Sequence, residues 1–178
     1  MQFRLNREIK AYCPDFAPVR AILRAGSAEF VEVKEQVDHY YRIPPADEDG
    51  GTRRLKLRVE KGKGTLIYYW DRHEAGARTS RYQLAEADDP LIGELLESAL
   101  GARAVVRKQR ELWRKDNVVF NLDRVEGVGQ ILEVEVLAED NCDIDALAKE
   151  YRRLFAPCLG SYIIGSNEDL VSAITPPP

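Results

Sequence analysis

The sequence predicts an α+β fold in which a closed antiparallel β-barrel forms a tunnel and helices pack outside it. Many strand-like segments are joined by short turns, such as GKG at 62–64, KDN at 115–117 and EGVG at 126–129. Turns of this length connect antiparallel neighbours. The number of strands favours a sheet that curls and closes on itself, and the few helical segments then cover its outside.

The strands are predicted from alternation of polar and apolar residues and from their content of β-branched and aromatic residues. Alternation is strict in RRLKLRVE at 53–60. The strand-like segments are residues 2–12, 30–43, 53–60, 65–72, 77–85, 104–114, 117–125, 131–138 and 160–165.

Three helices are predicted from apolar residues at helical spacing, at residues 13–27, 88–101 and 143–155. Pro90 lies early in the second of these segments and Gly101 ends it, as the usual start and stop signals require. The third segment places apolar residues on one face and charged residues on the other.

Length and composition predict a single domain over residues 1–178. The chain is 44% hydrophobic and 31% charged, which is typical of a globular protein. An acidic stretch rich in Pro and Gly predicts a flexible loop at about 44–52, and the run of prolines predicts a disordered tail at about 175–178.

Several classes of protein are disfavoured by the sequence. A net charge of −4 gives no general basic face for nucleic acid. No apolar run is long enough for a membrane helix, and the first residues lack the apolar core of a signal peptide, so we expect a cytoplasmic protein without membrane partners. Two histidines and three scattered cysteines predict neither a zinc site nor a disulfide framework.

The non-aliphatic faces of five strands carry an unusual concentration of charge. The basic positions are Lys10, Arg54, Lys56, Arg58, Lys108 and Arg110, and the acidic positions are Glu8, Glu60, Asp123, Glu133 and Glu135. A charged face on any single strand is explained by solvent alone. Here, however, basic residues dominate some strands and acidic residues dominate others. Closure of the sheet would bring these charged side chains together inside one cavity.

Such a cavity has a specific chemistry. Its lysines and arginines would repel one another unless an anion of high charge density neutralised them. Carboxylates without His or Cys are hard oxygen ligands, which suit Mg²⁺ or Mn²⁺. A cationic cavity beside a carboxylate metal site indicates polyphosphate chemistry.

The ordered motifs LNREIKAY, QVDHYYR, RLKLR, VVRKQREL, FNLDRVEGVGQILEVEV and GSY resemble the CYTH family over residues 3–164. This family, also called the triphosphate tunnel metalloenzymes, includes class IV adenylyl cyclases, thiamine triphosphatases and inorganic triphosphatases. The resemblance implies a tunnel that binds a triphosphate together with divalent metal ions.

The resemblance also implies roles for individual residues. As catalytic residues it implies Glu8 and Lys10. As phosphate-binding residues it implies Lys10, Lys56, Arg58, Arg78, Lys108 and Arg110. As ligands of Mg²⁺ or Mn²⁺ it implies Glu8, Asp123, Glu133 and Glu135. Asp38 and Tyr41 lie in a recognisable segment, and their roles stay open.

One position departs from the family's E-x-E-x-K motif, because Asn6 stands where the first acid is expected. The carbonyl oxygen of an Asn can ligate a metal, but it supplies no charge and cannot act as a base. Either a second metal ion or an acid role is then lost, or Asn6 lies near the tunnel mouth and matters little. Both alternatives stay open.

The favoured function is metal-dependent hydrolysis of a triphosphate, either inorganic triphosphate or a nucleoside or thiamine triphosphate. Hydrolysis needs fewer specialised groups than cyclisation. The alternatives are a class IV adenylyl cyclase, which converts ATP to cyclic AMP and pyrophosphate, and a protein that binds a polyphosphate ligand without turnover. The aromatic residues 68–70 could stack on an organic group or belong to the core. A homodimer is left open, because Val33 and Val37 suit an interface as well as core packing.

Overall fold

The fold is seen in a computed structural model that describes residues 4–44, 52–74, 77–140 and 142–174. The predicted tail at 175–178, and the predicted loop at 44–52 apart from its first and last residues, lie outside the described residues. Of residues 71–78, no side chain is described.

Eight antiparallel strands close into a barrel, as the sequence predicts. The strands are β1 (Arg4–Tyr12), β2 (Glu29–Tyr41), β3 (Thr52–Glu60), β4 (Lys63–Glu74), β5 (Ala77–Glu86), β6 (Ala102–Lys115), β7 (Val118–Val125) and β8 (Gly129–Leu137). Their order around the barrel is β1-β5-β4-β3-β2-β6-β7-β8, and β1 closes the ring by pairing with both β5 and β8.

The strand register brings distant charged residues opposite one another. Asp38 on β2 pairs with Arg58 on β3, and Arg110 on β6 pairs with Asp123 on β7. Because side chains alternate between the two faces of a strand, each of these pairs points to the same side of the sheet. The face of opposite parity carries the aliphatic residues that pack under the helices.

Four helices accompany the barrel: α1 (Phe16–Ala25), α2 (Leu91–Leu100), α3 (Ile144–Phe155) and α4 (Asn167–Ile174). The main core lies between the outer face of the sheet and helices α1 and α3, where Phe16, Phe120 and Phe155 are each 1% exposed. Asp15 caps α1 by accepting a hydrogen bond from the backbone N–H of Ala17. No helix in the described residues has the length and hydrophobicity needed to cross a membrane.

The prediction of a strand at 160–165 is wrong. Tyr162 forms only an isolated bridge to Ala11, because β1 is already paired with β8 on one edge and with β5 over Arg4–Glu8 on the other. The segment therefore covers only the remaining end of β1.

Helix α4 was not predicted, although the sequence carries a signal for it. Ser166 and Asp169 form a reciprocal cap in which the Asp169 carboxylate accepts from Ser166 and the Ser166 hydroxyl accepts from the Asp169 backbone. The helix is only eight residues long, so its periodicity is too short to stand out.

Candidate active site in the barrel interior

The barrel interior holds a cavity of about 240 Å³ lined by side chains from all eight strands and by Asn167 of α4. The lining is divided by strand into three parts. We call β3, β2 and β6 the basic wall, β7, β8 and β1 the acidic wall, and β4 and β5 the aromatic wall.

The first half of the basic wall is a compact ion-pair unit. Asp38 accepts from Arg58 through Nε at 2.7 Å and Nη2 at 2.9 Å, and from Lys56 Nζ at 2.8 Å. The Asp38 side chain is 1% exposed. A bidentate Arg–carboxylate contact fixes the guanidinium plane, so Arg58 faces the cavity in one orientation.

The second half of the basic wall repeats this unit, with the two bases on β6 and the aspartate on the adjacent strand β7. Asp123 accepts from Arg110 through Nε at 2.7 Å and Nη2 at 2.6 Å, and from Lys108 Nζ at 3.0 Å. The expectation that these bases repel one another until an external anion arrives is therefore wrong. Each Lys–Arg pair already has a buried carboxylate as counter-ion.

Burial and the neighbouring charges act in opposite directions on these groups. Burial alone would raise the pKa of Asp38, but Lys56 and Arg58 outweigh it and hold that pKa well below its usual range. Burial and the adjacent Arg58 lower the pKa of Lys56 well below its ordinary value, against the attraction of Asp38. Burial and Arg110 lower the pKa of Lys108 in the same way.

Glu133 connects the acidic wall to the bases. Its carboxylate contacts Lys10 Nζ at 3.3 Å and Arg110 Nη2 at 2.5 Å. Burial opposes its charge, but Lys10 and Arg110 outweigh burial and hold the pKa of Glu133 well below its usual range. Glu133 is therefore held in its charged form.

Glu135 has a different set of partners. Its two oxygens accept from the side-chain amides of Asn6 at 3.2 Å and Asn121 at 2.8 Å, and Arg110 Nη1 lies 4.0 Å away. Asn6 is only 4% exposed and lines the cavity, so this departure from the family motif lies inside the site.

The aromatic wall presents Tyr69 and Tyr82, whose ring centroids lie 5.9 Å apart. Tyr69 also lies beneath Arg54 and Lys56, with the cations 4.8 and 5.2 Å from its ring centre. Of the three aromatic residues at 68–70, only Tyr69 lines the cavity. Trp70 stacks with Arg81 instead.

The two ends of the cavity differ in exposure. At one end Asn167 lines the cavity, and Leu170 of the same helix packs on a cluster containing Val106 and Ile131, so α4 covers part of this end. At the other end Lys34 and Glu60 line the cavity with side chains 25% and 27% exposed. The second end is therefore the more open mouth.

Eight of the ten predicted site residues line this cavity: Glu8, Lys10, Lys56, Arg58, Lys108, Arg110, Glu133 and Glu135. Asp123 is fully buried behind them, against Lys108 and Arg110. The side chain of Arg78 lies outside the described residues, but its backbone pairs with Glu8.

Other lining residues were not assigned a role from the sequence: Lys34, Gln36, Arg54, Asn121, Tyr82 and Asn167. Gln36 lies two residues before Asp38 on the same strand face, and Asn121 two residues before Asp123. Alternation along β7 does predict that Asn121 shares a face with Asp123, and extending it along β2 would have found Gln36.

The oxygens of the acidic wall are of the hard type that a divalent cation prefers, although no three His, Cys, Asp or Glu side chains among the described residues are grouped so that they could hold one. The side-chain carbonyl oxygens of Asn6 and Asn121 are buried and have no hydrogen-bond partner. Buried unpaired oxygens mark the place of a ligand, an ion or water. Together with the carboxylates of Glu8, Glu133 and Glu135 they form a set of hard oxygen donors, which suits Mg²⁺ or Mn²⁺.

The closed antiparallel barrel, with a basic and an acidic wall facing one cavity, defines this chain as a tunnel-type β-barrel protein. The chain belongs to the CYTH domain family, whose family model matches residues 5–161.

The chain is also similar to a named protein and to solved structures. The chain is 26% identical over 145 residues to a protein of Methanocaldococcus jannaschii named as a candidate adenylate cyclase, covering 80% of this chain and 83% of the relative. A solved structure from Pyrococcus horikoshii superposes with a TM-score of 0.77 at 21% identity, over 94% of this chain and 99% of that one.

A plant structure shares the fold as well. It is a candidate adenylyl cyclase from Hippeastrum in which triphosphatase activity is dominant, with a TM-score of 0.60 at 14% identity, covering 90% of this chain and 91% of that one. At these identities the solved structures establish the shared fold.

Proposed function

We propose that this protein is a metal-dependent triphosphatase that hydrolyses a phosphoanhydride bond of a triphosphate held between the two charged walls. The observation that carries the proposal is the pair of matched units, Lys56–Arg58 on Asp38 and Lys108–Arg110 on Asp123. They present four fixed cations to one cavity opposite carboxylates that suit a divalent metal.

The charge balance of the cavity supports a metal requirement. Among the described side chains, seven lysines and arginines line it, while four glutamates line it and two aspartates lie behind the bases. The site is thus close to neutral before a ligand enters. A triphosphate carries several negative charges, so a divalent cation must enter with it to keep the buried charge balanced.

The residues divide the chemistry between them. Arg58 is held through Nε and Nη2, which leaves its Nη1 side for phosphate oxygens. Arg110 is held through the same two atoms, and its Nη1 lies 4.0 Å from Glu135, where it would contact phosphate beside that carboxylate. Lys10 offsets the negative charge of the Glu133 carboxylate. Glu8, Glu133, Glu135 and Asn6 would hold the metal, which when bound offsets phosphate charge and polarises the phosphorus.

A water that attacks the terminal phosphorus must lose a proton. Glu8 lines the cavity on the acidic wall, and its carboxylate is the proposed acceptor of this proton, while the bond from the terminal phosphorus to pyrophosphate breaks. Asp123 supports this chemistry indirectly, since it fixes Lys108 and Arg110 in place. We assign it as a positioning residue, although the family resemblance implied a metal ligand.

A class IV adenylyl cyclase is the second candidate, favoured by the relative in Methanocaldococcus jannaschii. The same clamp would serve if a ribose hydroxyl attacked the α-phosphorus of ATP, because only the nucleophile and the substrate orientation differ. Tyr69 and Tyr82 would then be the rings available to contact the base.

The test is to incubate the protein with inorganic triphosphate, ATP and thiamine triphosphate, each with Mg²⁺ or Mn²⁺. We expect release of phosphate. Cyclic AMP with pyrophosphate would instead identify a cyclase, and thermal stabilisation without turnover would identify a binding protein. Absence of both turnover and stabilisation would contradict the tunnel function altogether.

A further inference from the structure

A second cavity lies outside the barrel, between helix α2 and the outer face of strands β2 and β3. Its volume is about 380 Å³, against about 240 Å³ for the tunnel cavity. Tyr41 of β2, Leu57 of β3 and Ala87 form its mainly apolar floor. No residue of α2 is fully buried. The helix packs on the floor through three partly buried side chains and leaves a space beside them, which we call the α2 cleft; the three are Ile92, Leu96 and Leu100.

A glycine keeps the α2 cleft open. Gly93 lies in the interior of α2 and lines the cleft. A Cβ atom there would lie 3.4 Å from Leu57 Cδ2 and 3.9 Å from the Tyr41 hydroxyl, which is ordinary van der Waals contact. At Gly64, by contrast, a Cβ atom would collide with the backbone of Ala87. Packing does not require a glycine at position 93, although glycine costs a helix interior about 1 kcal/mol relative to alanine. What Gly93 provides is therefore space.

Tyr41 places a polar group on the floor of the cleft. The residue is 4% exposed, and its hydroxyl makes no hydrogen bond within the described part of the chain. Burial and the nearby Glu97 carboxylate raise the pKa of Tyr41, so the hydroxyl keeps its proton. Since buried polar groups are normally paired, this hydroxyl is available to a molecule that enters the cleft.

The rim of the cleft is acidic. Asp88 and Asp89 line it before α2 begins, Glu94 and Glu97 line it from the helix, and no Lys or Arg of the described residues lines it. The helix rises about 10 Å from Pro90 to Glu97, so the carboxylates are spread along the cleft. The last turn of α2 contains no basic residue, and Glu97 therefore meets the negative end of the helix dipole without compensation. A cation in the cleft would relieve this.

These features together select a class of ligand. A floor of aliphatic side chains suits methylene groups, and a rim of separated carboxylates suits more than one ammonium group. A lysine side chain from another protein would bring only one. We propose that the α2 cleft binds a linear aliphatic diamine or polyamine, with its methylene chain on Leu57 and Ala87 and its ammonium groups at the rim carboxylates and the Tyr41 hydroxyl. This site contains no tunnel residue and goes beyond the proposed function.

The test is a calorimetric titration of hexamethylenediamine into the full chain, without triphosphate or metal. We expect one diamine to bind per chain. Hexylamine has the same chain with a single ammonium group, and we expect it to bind about tenfold more weakly. Equal affinity for the two amines would overturn the inference, because it would show that the rim does not recognise the second ammonium group.

Variants of the cleft locate the binding site. Gly93→Leu fills the space, and we expect it to weaken diamine binding at least about tenfold. Glu97→Gln removes one exposed charge of the rim, so it keeps the test available if Gly93→Leu fails to fold, and we expect binding about threefold weaker. Glu150→Gln, at an exposed glutamate of α3, is the matched control and should leave binding unchanged.

Three results would overturn the inference. The first is the absence of saturable diamine binding, or binding that neither cleft variant weakens. The second is loss of diamine binding in Glu135→Gln, which would place the amine in the tunnel. The third is self-association of the natural chain in sedimentation that Gly93→Leu disrupts, without diamine binding, which would make a second copy of the chain the occupant of the cleft.

Discussion

The two halves of the basic wall are built alike but anchored differently. In both, an aspartate accepts two hydrogen bonds from an arginine and one from a lysine on the neighbouring strand. Arg58 has Asp38 as its carboxylate partner, whereas Arg110 also contacts Glu133 and lies 4.0 Å from Glu135. The β6 unit therefore couples the basic wall to the acidic wall, while the β3 unit is self-contained.

The largest expected difference between the units concerns their arginines. Arg110→Ala leaves Asp123 with Lys108 alone and removes a partner from Glu133, so we expect a loss of about 3–5 kcal/mol in the free energy of unfolding. Arg58→Ala leaves Asp38 with Lys56, and we expect about 1–3 kcal/mol. Urea unfolding measures both. Lys61→Ala, which removes an exposed ion pair to Glu32, is the control. Equal losses would remove the distinction between the units.

Substitution of the aspartates should reverse this order, so that the β3 unit loses more unfolding free energy than the β6 unit. In Asp38→Asn both bases lose their counter-ion, and we expect a loss of about 3 kcal/mol. In Asp123→Asn, Arg110 keeps Glu133, so the loss should be smaller. A triphosphate should also raise the melting temperature of Asp38→Asn by more than that of the natural protein, because it replaces the missing anion. A larger loss in Asp123→Asn would show that Glu133 does not support Arg110.

The coupling of the β6 unit to the acidic wall can be examined through Glu135. We expect Glu135→Gln to reduce metal-dependent turnover by about 100-fold with little change in unfolding free energy, because the Gln oxygen can accept from one of the Asn6 and Asn121 amides and its NH2 can donate to the other once that amide turns over. Glu60→Gln, at the open mouth, is the matched control. Steady-state assays and urea unfolding separate the two effects, and unchanged turnover would exclude Glu135 from the site.

The smallest expected effect is a difference between Lys56 and Lys108 in how each makes the unfolding free energy depend on pH. The pKa of Lys56 is lowered well below its ordinary value, and that of Lys108 is lowered too. The unfolded chain therefore holds more protons than the folded one as pH approaches about 10.4, and these lysines make stability rise with pH there. We expect Lys56→Met to reduce this rise more than Lys108→Met, measured by urea unfolding from neutral to alkaline pH. An unchanged slope in both variants would contradict the account.

The tunnel-facing set of residues could be predicted from the sequence because strand periodicity is a local property. Lys56 and Arg58, like Lys108 and Arg110, occur at successive same-face positions, and each pair does face the cavity. The closed barrel was predicted for a related reason, since short turns specify antiparallel neighbours one at a time.

The partners of these residues could not be predicted, because they depend on register between strands far apart in the chain. Asp38 is twenty residues from Arg58, and only the β2–β3 pairing places them together. An inward-facing aspartate has the same pattern whether it binds a metal or an arginine. The sequence therefore could not separate these two roles for Asp123.

The central claim is that the two walls receive one triphosphate between them, and calorimetric titration of inorganic triphosphate with Mn²⁺ tests it most directly. The account predicts one triphosphate bound per chain, with affinity reduced in both Arg58→Ala and Arg110→Ala provided that each variant remains folded. No binding by the natural protein, or binding that neither substitution weakens, would contradict it.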